Sequence, residues 1–247
     1  MLFQTLQFID IIIILCWLVV ICSLAIAGLL FIFIKSKDKP KSFKSYLIAI
    51  GIFFILYSIN RLIFFMHELF FDPMMWTIAL EDYNNMMVPG SDKFIRYDII
   101  WRISTAIGSI GLLIFLIEFE SKILEKKSKF ILSIIQGVTL TFSLILGAQA
   151  DRMTAGRYIL YFGLIPALTV PLLYFYIGIK TSGDARKRAI GAGFGFLIFY
   201  IGVAANSSGG KSVFNFLAGL SGLQFSYILY GIFISIGLII YIKSIRY

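Results

Sequence analysis

Two arginines stand inside runs of apolar residues that are otherwise nearly free of charge: Arg61 in YLIAIGIFFILYSINRLIFFMHELF and Arg102 in IRYDIIWRISTAIGSIGLLIFLI. On a helix, positions i, i+4, i+7 and i+11 share a face, so Asp98, Arg102, Thr105 and Ser109 form one polar stripe. Ser58, Arg61 and Glu68 form a second, with Asn60 and His67 beside it. A guanidinium carries its donors in a planar fork that fits a carboxylate or phosphate in two places. Two chemistries follow. Either Arg102 pairs with Asp98, or Arg61 with Glu68, as a structural salt bridge, or one guanidinium is left to hold an anion.

The elements that carry these residues are set by composition. Of 247 residues, 60% are hydrophobic and 14% charged, and the mean hydropathy is +0.93, whereas roughly 25% charged residues is usual in soluble domains. The expected fold is all-α: one polytopic seven-helix transmembrane domain over residues 1–247, with spans at Phe8–Ile34, Tyr46–Phe70, Ile95–Ile117, Phe130–Gly147, Tyr158–Ile179, Ala189–Ala205 and Leu223–Tyr241. The first run reads as a span and not as a secretory leader. No Lys or Arg precedes it, and it continues past Ala25–Ala27 to Ile34.

Fifteen of the 22 Lys and Arg residues fall at 35–44, 122–129 and 180–188 and at the C-terminus, all on one side of such a bundle. Short basic loops stay cytoplasmic, so the N-terminus is expected outside, the C-terminus inside and the protein in the cell membrane. The formal charge of +9 is thus a topology signal and does not indicate nucleic acid. The longest outer loop, residues 71–94, contains Trp76 and several Met residues and is expected to hold a short interfacial helix.

Depth arguments bring the two arginines to one level. Arg61 lies about 22 Å above the inner end of its span and Arg102 about 10 Å below the outer end of its own. The expected site is therefore an outward-facing polar pocket formed by Arg61, Arg102, Asp98, Glu68 and Thr105, supported by Asn60, Gln224 and Tyr227. Its expected occupant is an anionic small molecule or lipid headgroup. The fourth run offers Gln136, Thr139 and Ser143, and the seventh Ser235, as polar positions nearer the inner side.

Catalytic signals are sparse. His67 is the one histidine, which excludes multi-histidine zinc, di-iron and bis-histidine haem sites, so no metal, cofactor or catalytic residue is expected. Cys16 and Cys22 face different sides of one helix. The segment GLSG at Gly219–Gly222 resembles the serine motif of rhomboid proteases, but His67 precedes it, and the small residues read better as a helix contact. GAGFG at Gly191–Gly195 has Phe196 at the third glycine position of a dinucleotide loop and also reads as a helix contact. The seven-span, N-outside layout resembles that of rhodopsins and seven-helix receptors. No lysine occupies the middle of the seventh span to hold a retinal, and Lys243 sits at its inner end. Pro166 and Pro171 are expected to bend the fifth helix.

These features favour a sensor or receptor-like module that relays to a separate cytoplasmic or membrane partner, since no effector segment is read in the chain. A small-solute transporter or channel is the alternative, requiring a polar path through to the inner side. A lipid-modifying enzyme is third.

Overall fold

The computed structural model describes residues 7–37, 39–70, 88–125, 128–151 and 153–245. The elements are α1 (Phe8–Leu29), continued by a π-helical turn at Leu30–Lys35; α2 (Lys41–Phe70); α3 (Asp92–Lys122); α4 (Ile131–Leu146), followed by a 3₁₀ turn at Gly147–Asp151; α5 (Thr154–Phe162); α6 (Leu164–Lys180); α7 (Gly183–Ala205); and α8 (Ser208–Ser244). No strand occurs among the described residues. Seven spans, the fifth made of α5 and α6 together, are long and apolar enough to cross a membrane. Large apolar side chains on their outer faces, such as Leu15, Val19, Ile26 and Phe33 of the first span, stay exposed, as a lipid-facing flank requires. The interfacial helix expected around Trp76 lies outside the described residues.

Several helices run beyond the apolar segments because their polar ends are capped. Ser91 accepts a hydrogen bond from the Phe94 amide at 3.2 Å, and Ser207 one from the Gly210 amide at 3.1 Å. The last helix therefore begins at Ser208, well before the hydropathic run at Leu223. The fifth span breaks at Gly163. Pro166 lacks an amide hydrogen and its ring crowds the carbonyl four residues back, which belongs to Phe162, the last residue of α5. Pro171 lies inside α6, where helical geometry continues.

The spans form a ring in chain order, each packed on its neighbours, with α8 closing against α1. In the half that carries the lysine-rich loops, the interior is filled by aromatic rings. Phe115 and Phe119 are fully buried, and Tyr46, Phe54, Phe196 and Tyr241 nearly so. Tyr241 meets Phe196 edge-on with ring centroids 4.4 Å apart. The Tyr174 hydroxyl joins those of Tyr46 and Tyr241, the latter at 3.2 Å, so that hydroxyls buried among rings satisfy one another. GAGFG does serve helix contact: a Cβ on Gly195 would stand 2.7 Å from the Tyr241 amide nitrogen of α8, and one on Gly193 2.8 Å from the Phe175 ring of α6.

Helix α4 lacks a side-chain cap from its own chain segment, since Phe130 at its N-cap is apolar and left-handed. The cap comes from α3. Glu120, fully buried, accepts hydrogen bonds from the amides of Leu132 at 3.0 Å and Ser133 at 2.9 Å, and from the Ser133 hydroxyl at 2.5 Å. A carboxylate there satisfies orphan donors and faces the positive end of the helix dipole.

Candidate functional site

A cavity of about 610 Å³ occupies the half of the bundle away from the lysine-rich loops. Its lining comes from Trp17 of α1, the second half of α2 (Phe53, Tyr57, Asn60, Arg61, Phe64, Glu68), the first half of α3 (Tyr97, Trp101, Thr105, Ser109, Leu112), the start of α6 (Leu164, Ala167, Leu168), the end of α7 (Leu197, Phe199, Tyr200, Asn206) and Lys211 of α8. Phe53 and Phe199 pack on the aromatic layer beneath, with the Phe53 ring 5.8 Å from Phe115 and the Phe199 ring 6.4 Å from Phe196.

Arg61 is the central charge. Its guanidinium carbon lies over the rings of Tyr57 at 4.6 Å, Tyr230 at 5.7 Å and Phe64 at 5.9 Å. Ring faces attract a cation but do not accept its in-plane N–H bonds in the manner of a carboxylate. Accordingly, the buried Nε has no hydrogen-bond partner among the described residues. Lys211 is buried, donates to the Tyr227 hydroxyl at 2.7 Å and stands 4.3 Å from the centre of that ring. Glu68 interacts electrostatically with both cations.

Two amides complete the polar set. Asn60 donates from Nδ2 to the Ser104 carbonyl at 2.5 Å, over Gly108, where a Cβ would stand 3.2 Å from that nitrogen. Its Oδ1 and that of Asn206 are buried acceptors without a hydrogen bond among the described residues. Buried acceptors of this kind are normally occupied, by water or by a ligand.

Of the residues expected from sequence, Arg61, Glu68, Thr105 and Asn60 line the cavity, while Tyr227 lies behind it, reached through Lys211. Arg102 and Asp98 do not line it. Arg102 donates from Nε to Asp98 at 2.8 Å and from Nη1 to the carbonyls of Leu144 and Ile145, the latter at 3.0 Å; Asp98 in turn accepts from the Ala148 amide at 2.5 Å. The two residues thus close the C-terminal end of α4 at Gly147. The expected meeting of the two arginines at one site is not found, because Arg102 points from α3 towards α4 and Arg61 points into the ring. Gln224 is half-buried on α8 and does not line the cavity, and the ring of buried His67 is tilted against Tyr97 with centroids 5.8 Å apart.

Lys211, Asn206, Tyr57 and Trp17 were not legible as site residues. Lys211 reads as a loop cation because Gly209 and Gly210 precede it. The cap signal of Ser207 before the apolar stretch that follows is the clue that a helix starts there and turns position 211 inward. GLSG holds both a kink and a close helix approach: Gly219 has φ +57° and ψ −139°, with open space around it, while a Cβ on Gly222 would press into the Phe214 carbonyl of the helical segment before the kink. Ser221, exposed just past the kink, lies outside the cavity.

No group of three or more His, Cys, Asp or Glu among the described residues is placed to hold a metal ion. No protein family, curated protein or solved structure matches the chain.

Proposed function

We propose that this protein is a receptor-like membrane module, in which the cavity binds an anionic ligand from the outer side and the bundle relays its occupancy to a separate partner. The position and closure of the cavity carry this reading. It occupies one half of the bundle, and the other half is a close-packed aromatic layer. Residues that would extend a polar path to the far side lie outside the cavity. Thr139 and Ser143 donate back to carbonyls of their own helix, at 3.0 and 2.8 Å, and neither they, Gln136 nor Ser235 line the cavity. A blind cup suits binding, whereas transport needs a through-path or a large rearrangement. The lysine-rich loops supply the basic surface on which a cytoplasmic partner would dock.

Purified protein reconstituted in liposomes and in lipid nanodiscs tests the reading. Carboxylates or phosphates that raise the melting temperature in proportion to ln(1 + [L]/Kd), with no uptake of the same solutes, support a receptor; uptake supports a transporter. Arg61→Gln is expected to abolish the ligand-dependent rise. Orientation is tested by single cysteines in a variant with Cys16 and Cys22 replaced by serine: an impermeant maleimide should label Val88→Cys in intact cells, and Lys37→Cys only after permeabilisation.

A further inference from the structure

Resting on the anion-binding reading above, we infer that the occupant is a long-chain carboxylate, with its head at Arg61 and its hydrocarbon chain along the wall between α6 and α7. Two observations lead there. At the centre of the cavity is Arg61, whose buried Nε has no hydrogen-bond partner among the described residues and whose forked donors fit a carboxylate. Around the small polar cluster the walls are apolar, and on one side they merge with the lipid-facing flank. Leu164, Leu168 and Ile201 line the cavity yet are 48%, 54% and 47% exposed. A ligand that enters from the outer leaflet keeps its chain in an apolar medium throughout, so only the head must shed water, and the guanidinium then receives it. A small soluble anion makes no use of such a wall.

Trp17 and Trp101 both line the cavity and report on the chain directly. In nanodiscs of zwitterionic lipid, 11-bromoundecanoate is expected to quench indole fluorescence saturably. Dodecanoate is expected to reverse the quenching, while butyrate in roughly hundredfold excess and dodecanol are not. Arg61→Gln is expected to weaken the competition by about tenfold or more, and Leu168→Phe, which narrows the wall, adds no indole and leaves the cations in place, to weaken competition by dodecanoate. Should butyrate compete as well as dodecanoate, the long-chain assignment falls and the anion cavity stands. Equal competition by dodecanol overturns the carboxylate. Absence of saturable quenching, together with no thermal stabilisation by any carboxylate or phosphate, ends both readings. The chain-length comparison is made on the wild-type protein, so it holds even if a variant fails to fold.

Discussion

Arg61 and Arg102 lie on adjacent helices in similar apolar company, and the fold uses them in opposite ways. Arg102 has a carboxylate one turn away and two helix-end carbonyls in front of it, so its Nε and Nη1 are taken. With Glu120 at the other end, α3 clamps α4 by both termini, each charge matched to the end of the helix dipole it faces. Arg61 is surrounded by ring faces, and its buried Nε has no hydrogen-bond partner among the described residues. An intramembrane arginine is therefore not by itself a site. The acceptors around it decide whether it is structural or available.

That contrast can be broken experimentally, and the largest effect is expected at the clamp. Glu120→Ala leaves two buried amides and a hydroxyl without their acceptor and should cost about 3 kcal/mol, read as a lowered melting temperature in nanodiscs. Gly147→Ala should cost about 2 kcal/mol, since the residue is left-handed at φ +57° and a Cβ would press into Asp98 and within 2.5 Å of Arg102 Nε. Arg102→Gln should cost about 1 to 2 kcal/mol by uncapping the α4 carbonyls, while ligand-dependent stabilisation survives. Arg61→Gln should change stability by less than about 1 kcal/mol, because the lost cation–π attraction is offset by removal of a poorly paired charge, and yet abolish that stabilisation. If Arg102→Gln abolished binding while Arg61→Gln did not, the two assignments would be reversed.

The stripe containing Asp98, Arg102 and Thr105 is readable from helical spacing, and so is the Asp98–Arg102 pair, because both are local. Its direction is not. Thr105 faces the cavity and Arg102 the end of α4, although only three residues separate them, since a stripe one turn wide spans two neighbours in a ring. Glu120 was unremarkable in sequence for a similar reason. It stands at the margin of its apolar run beside a lysine-rich loop, where a solvated carboxylate is the ordinary expectation, and only the position of α4 converts it into a buried cap.

The seven spans follow from the chain alone because hydrocarbon imposes its demand on each segment separately: about 20 apolar residues with internally satisfied backbone make a span wherever they occur. Which charges converge depends on how the helices are arranged and rotated in the ring, and those variables are set by contacts between segments far apart in the chain. Lys211 joins Arg61 and Glu68 only because a cap at Ser207 and a kink at Gly219 turn the start of α8 back over the cavity.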